Sequence, residues 1–146
     1  MTDGAPLLDV EGLSIAYRTR QGDTPALRSL SFRLERGEAL GVVGESGSGK
    51  STAAYAIMGH LSPSARVVAG RVRFEGQNVL ALEPAELQRL RGARIALVDQ
   101  EPGNALNPAL TVGEQLCEGP RQHLGLSLKA ARERAGAWLA EVELPD

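Results

Sequence analysis

The residues best suited to chemistry stand at positions 44–52 and read G-E-S-G-S-G-K-S-T. They fit the spacing G-x-x-x-x-G-K-[ST], in which a glycine-rich loop joins a strand to a helix and turns its amides toward phosphate oxygens. Gly44, Gly47 and Gly49 are expected to let the backbone take positive φ and approach an anion with no Cβ in the way. Glu45, Ser46 and Ser48 then contribute their backbone N–H groups to a concave nest, and the following helix adds the positive end of its dipole. Lys50 would set a compact ammonium on the β and γ phosphates of a triphosphate, and Ser51, followed by Thr52, would offer a hydroxyl to Mg2+. The lysine is informative in itself, because only two of the 16 basic side chains are lysine. A planar guanidinium would not serve the same small site.

A second constellation follows the apolar run 95–98, where the chain reads D-Q-E-P from Asp99 to Pro102. A carboxylate at the end of such a run can hold Mg2+ through its hydration shell, so Asp99 is one candidate metal group, as in a self-contained NTPase or kinase. Gln100 is another, since its amide oxygen can meet a metal or accept from water while its NH2 donates. A plain polar loop after a strand is the third reading. Tyr17 also stays open between a strand aromatic and a stacking surface for a base.

Elements must hold these groups in place. Leu13, Ile15 and Tyr17 alternate with small or polar residues, as do Leu30, Phe32 and Leu34, which predicts two antiparallel strands within residues 7–38. Residues 19–25 are expected to form the hairpin loop between them, and residues 35–38 a turn. The runs 39–43 and 95–98 read as buried strands of the parallel-sheet type. Residues 51–61 read as a helix with Ala54, Ile57, Met58 and Leu61 on its core face. Val72 and Phe74 mark a further strand turned at Gly76, and Pro84 suits the first position of a helix. Thr111 and Glu114 form a capping box, Gly119-Pro120 should kink or end that helix, and Ser127 should cap another. On that last helix Ala131, Ala135, Trp138, Leu139 and Val142 form one stripe.

Composition narrows the classes. A chain of 146 residues, 42% hydrophobic and 23% charged, is suited to one globular domain. A net charge of -2 and 3% aromatic residues give no footprint for nucleic acid and no stacking platform for single strands. No apolar run reaches bilayer length, and the acidic start M-T-D-G lacks the basic opening of a signal peptide. The single cysteine, Cys117, excludes an internal disulfide and reads as a small core residue.

Several stretches together resemble one family. They are L-D-V-E-G-L-S-I-A-Y from Leu8 to Tyr17, residues 39–52, A-G-R-V-R-F-E-G from Ala69, E-L-Q-R-L-R-G from Glu86, the Gln100 segment with Leu106-Asn107-Pro108, T-V-G-E-Q from Thr111, and H-L-G-L-S from His123. The chain is similar to the ATP-binding subunits of ATP-binding cassette (ABC) importers for dipeptides, oligopeptides and nickel. The resemblance implies an α/β fold, with a P-loop NTPase core, an antiparallel β subdomain and the start of an α-helical subdomain. The corresponding boundaries are 7–38, 39–102 and 103–146. It also implies ATP and Mg2+ as cofactors, with Tyr17 stacking adenine, residues 44–52 binding phosphate, Ser51 and Gln100 reaching Mg2+, and Lys50 and Gln100 serving catalysis. Membrane-spanning permease subunits and a second nucleotide-binding domain would be direct partners, with a substrate-binding protein acting indirectly. The place would be the cytoplasmic side of the inner membrane. Asp99 departs from the bulky apolar residue usual there, and Gly103-Asn104 from a larger pair. The family's L-S-G-G-Q signature, Asp-Glu strand end and switch histidine do not occur in the 146 residues. The expectation is therefore the N-terminal part of a longer cassette, able to bind nucleotide but not to turn it over. A non-catalytic ATP-binding module acting through partner contacts is the alternative.

Overall fold

A computed structural model describes residues 5–100 and 102–144. The opening M-T-D-G, Glu101 of the Gln100 segment and the last two residues lie outside them. The chain divides into two compact units, with the division between Leu87 and Gln88.

The first unit is built on an antiparallel sheet of order β2-β1-β3-β4. Its strands are β1 (Leu8–Thr19), β2 (Gly22–Leu34), β3 (Ala65–Phe74) and β4 (Gln77–Asn78). The β1–β2 hairpin turns at Arg20-Gln21, tighter than the expected seven-residue loop, because Gly22 to Pro25 already pair with Thr19 to Ala16. The turn at 35–38 forms as expected, closed by the Glu38 N–H on the Glu35 carbonyl at 3.2 Å.

In β1 the buried residues Leu8 and Val10 are followed by Leu13 and Ile15, so the inward alternation slips by one residue. A strict two-residue period would turn the second pair to solvent. The ladder answers with register shifts between Val10 and Ile15, centred on Gly12 at φ 56°. A bulge of this kind absorbs one residue and leaves amides without ladder partners. Serines supply them: Ser31 Oγ accepts from the Gly12 N–H at 2.8 Å, and Ser14 Oγ accepts from the Ser29 N–H at 2.9 Å.

The inward side chains meet helix α1 (Lys50–Ile57), which packs on β2 and β3. The core of this unit is Leu8, Val10, Leu13, Ile15, Leu27, Val72, Phe74 and Val79 with Ala53 and Ala56 of the helix. The expected helical face was different. Ala54, Ile57, Met58 and Leu61 are only half-buried, while Thr52, Ala53 and Ala56 are buried, because the sheet is met through small side chains. The regular helix ends at Ile57 rather than Leu61, with Gly59 at φ 62° closing its last turn.

The two apolar runs expected as buried strands are not strands among the described residues. Residues 39–43 and 96–98 enter no ladder, and Ile95 makes only an isolated bridge to Arg91. Val43 is 93% exposed and Val98 94%. A strand requires a neighbouring strand to take its N–H and C=O groups along its length, and among the described residues neither run is paired in this way; Ile95 bonds only locally, to Leu90 and Gly92.

On the sheet's polar face Asp9 lies between Arg33 of β2 at 3.1 Å and Arg73 of β3 at 3.4 Å, and Arg73 also reaches Glu11 at 2.9 Å. Burial of the Asp9 carboxyl, 7% exposed, pushes its pKa up. The Arg33 hydrogen bond and the charges of Arg33 and Arg73 more than reverse this, so the group sits below its ordinary value of 3.8. A lowered folded-state pKa contributes stability that is present above 3.8 and lost as pH falls through the folded value. Asp9→Asn should therefore melt lower than wild type at pH 7. The gap should close as pH is taken below 3.8 in circular-dichroism melts; a gap independent of pH would refute this.

Helix α2 (Pro84–Leu90) starts at Pro84 as expected and spans the division. The second unit continues with the single turn α3 (Pro102–Ala105), α4 (Val112–Leu124) and α5 (Leu128–Glu141). The capping box forms: Thr111 Oγ1 accepts from the Glu114 N–H at 3.2 Å, and Glu114 Oε2 accepts from the Thr111 N–H at 2.9 Å. That second bond holds the Glu114 carboxyl below its ordinary value. Gly119-Pro120 does not end α4, which runs through Pro120 to Leu124. The ring removes one amide donor, but Pro120 is buried and its own carbonyl accepts from the Gly125 N–H that closes the helix.

Ser127 caps α5, accepting from the Ala130 N–H at 3.3 Å. Cys117 packs with Ala131 and Ala135, flanked by Leu116 and Leu126. Beyond these the expected stripe weakens, with Leu139 half-buried. Trp138 is 38% exposed, with the Arg134 guanidinium 5.3 Å from its ring centroid, and Val142 is exposed.

Candidate phosphate-binding site

The loop at 44–49 is solvent-accessible and leads directly into α1. Gly47 and Gly49 have φ of 79° and 95°. Gly44, expected to join them, stays outside the left-handed region; a Cβ there would instead lie 2.8 Å from Ser48 Oγ. Gly49 is the N-cap of α1, and a Cβ on it would lie 2.5 Å from the Ala26 carbonyl oxygen and 2.7 Å from Leu27 Cδ2. The loop is thus pressed onto β2 at the point where the helix begins.

Lys50 is the first residue of α1, and its Nζ donates to the Gly44 and Glu45 carbonyls at 2.7 Å each and to Ser48 Oγ at 3.3 Å. A cation at the positive end of a helix opposes the dipole, and α1 has no acidic residue in its first turn to offset it. The arrangement is electrostatically unfavourable by itself and suited to an anion. Its chemical nature fits phosphate: an open loop, a glycine hinge, helix amides and one compact ammonium.

Ser51 is exposed on the first turn. Thr52, the next residue, is 8% exposed, and its hydroxyl shares a 3.1 Å hydrogen bond with the hydroxyl of Tyr17. The structure therefore brings Tyr17 to the phosphate loop, 35 residues away in sequence. Gln100 belongs to the second unit, exposed, with Asp99 half-buried before it.

Sequence reasoning missed Gln115. Its Nε2 donates to the carbonyls of Asn107 at 3.1 Å, Leu110 at 3.1 Å and Thr111 at 3.5 Å, and its Oε1 accepts from the Asn107 N–H at 2.8 Å. One amide side chain thus clamps the loop at 107–111 that follows the Gln100 segment. The signal was an amide residue one turn into a capped helix after an Asn-Pro turn, legible only once the loop is known to fold back on that helix.

The sequence profile described as ABC transporter matches residues 27–146. A dipeptide transport ATP-binding protein, DppD of Bacillus subtilis (strain 168), is 43% identical over 96% of this chain. The oligopeptide transport ATP-binding protein OppD of Salmonella typhimurium (strain LT2) is 42% identical over 96%. The chain spans 42% of the length of each of these relatives. Among solved structures, the ATP-binding cassette MJ0796, in a dimeric post-hydrolysis state bound to ADP and Pi, superposes with a TM-score of 0.78. That match has 26% identity and covers 95% of this chain and 58% of the other.

Proposed function

Because this chain belongs to the ABC transporter family, we propose that it is the nucleotide-binding part of an ATP-driven importer whose cargo is a peptide or a similar solute. The observation that carries this is the loop at 44–49: two left-handed glycines, one of them capping a helix whose first residue is a lysine and whose first turn holds no acidic residue. The peptide assignment is supported by relatives that are dipeptide and oligopeptide transport ATP-binding proteins.

In this reading residues 44–52 hold the phosphates, Ser51 and Gln100 reach Mg2+, and Tyr17 stacks adenine. Lys50 neutralises charge on the β and γ phosphates. Mg2+ would supply further charge neutralisation at the phosphates. Residues 7–38 open the antiparallel part, which β3 and β4 extend beyond the expected boundary; the remainder of 39–102 is assigned to the core and 103–146 to the start of the helical part. Turnover belongs to a complete cassette, since phosphoryl transfer depends on positioning and charge stabilisation from several elements. The partners are permease subunits and a second nucleotide-binding domain, with the chain peripheral on the cytoplasmic face. No helix among the described residues is long and apolar enough to cross a membrane.

Calorimetric titration of the chain with ATP should give saturable binding that strengthens with Mg2+ and is competed by ADP. Absence of binding into the millimolar range would overturn the proposal.

A further inference from the structure

Thr52 is an unexpected residue to bury. It lies in the first turn of α1, where alanine would be the better helix former, and a buried hydroxyl is costly unless it is hydrogen-bonded. Its partner is the Tyr17 hydroxyl at 3.1 Å, and no side-chain polar atom among the described residues is buried without a partner.

Tyr17 is held at its other end as well. It pairs with Thr24 of β2 on one side and Ala65 of β3 on the other, so its backbone is fixed within three strands. Both neighbours are small, and the ring remains half-buried rather than enclosed. With the backbone paired in the sheet and the hydroxyl bonded to the helix, the ring is restrained at both ends before any ligand arrives. Ordering a side chain at a binding site otherwise weakens affinity, and a group fixed in advance avoids that loss.

We infer that Thr52 is a positioning residue for Tyr17, its hydroxyl tethering the aromatic ring beside the phosphate loop so that base and phosphates are gripped from one preformed surface. This rests on the reading of residues 44–52 as a nucleotide phosphate site and of Tyr17 as its base-stacking group.

The test measures binding of Mg2+-ATP and of Mg2+-tripolyphosphate, which has no base, to the 146-residue chain. Tyr17→Phe keeps the ring and removes the tether; it should weaken ATP about three- to tenfold and tripolyphosphate less. Thr52→Val should weaken ATP at least as much, and adding Tyr17→Phe to it should cost less than about twofold more, because both remove one bond. Thr52→Ser retains the hydroxyl and should recover most of the affinity.

Losses that multiply in the double variant, or a Tyr17→Phe effect equal on both ligands, would overturn the tether and leave the phosphate loop standing. Undiminished ATP binding by Lys50→Ala would overturn the phosphate-loop reading and the tether with it. Should Thr52→Val fail to fold, Tyr17→Phe decides alone: wild-type ATP affinity in that variant refutes the inference.

Discussion

Lys50→Ala should weaken Mg2+-ATP binding by about 10- to 100-fold, the range expected when a hydrogen bond to a charged group is removed. The side chain stands at the start of α1 and its ammonium already bridges the Gly44 and Glu45 carbonyls. An incoming triphosphate would exchange these neutral acceptors for anionic ones, and charge-assisted bonds are the stronger. Lys50→Arg preserves charge and should recover little, because a planar fork cannot occupy the place of a compact ammonium. Thermal stability should hardly change in either variant, since the three bonds of Nζ are solvent-exposed. Titration with a fluorescent ATP analogue, run beside a thermal melt, separates the two effects. Equal affinity for Lys50→Ala and wild type would remove the lysine from the site.

Gly49→Ala should act on both fold and binding. At φ 95° and ψ 6° an L-residue is strained, and the added Cβ would lie 2.5 Å from the Ala26 carbonyl oxygen, a backbone atom that cannot swing away. Strain of about 1 to 3 kcal/mol from the dihedral alone is joined by the displacement of either β2 or the helix start. For a unit of this size that corresponds to a fall in melting midpoint on the order of 10 °C. ATP affinity should fall with it, because the loop amides and Lys50 move together with the N-cap. Gly47→Ala is the control: it shares the left-handed φ of 79°, but its Cβ would meet nothing within 4 Å. It should cost less than Gly49→Ala in the same melt. The reverse order would contradict the close approach of loop and strand.

The contrast between these two glycines marks where sequence reasoning stops. Spacing shows that the loop needs flexible positions, and it distinguishes lysine from arginine by chemistry. It cannot show that of these two Gly49 is the one pressed against Ala26, because that contact is made by a strand residue 23 positions earlier. The β1–β2 pairing was legible from alternation in Leu13, Ile15 and Tyr17 and in Leu30, Phe32 and Leu34. The slip in phase at Gly12 is visible too, as Val10 and Leu13 lie three apart with glycine between, but spacing alone does not distinguish a bulge from the end of a strand.

Apolar runs were the weaker guide. Residues 39–43 and 95–98 have the composition of buried strands, but composition reports what a segment would bury and not whether a neighbour is present. In α5 the stripe pattern correctly selected Ala131 and Ala135. It failed at Trp138, which is exposed and has the Arg134 guanidinium over its ring instead. Pro120 shows the same limit from the other side: a helix breaker by propensity, it is retained because its ring is buried and its carbonyl helps close the helix.

The exposed stretches at 39–43 and 97–98 bear on how the chain must be handled in the tube. Leu40, Val42, Val43, Leu97 and Val98 lie outside the buried residues of either unit and carry no charge, so the net -2 of the molecule does not guard them. Short uncharged β-branched windows of this kind favour self-association as concentration rises. The upper working concentration is therefore set by two patches unrelated to folding stability, and a titration pushed into the crowded regime would report the stickiness of valine before it reported the affinity of a nucleotide.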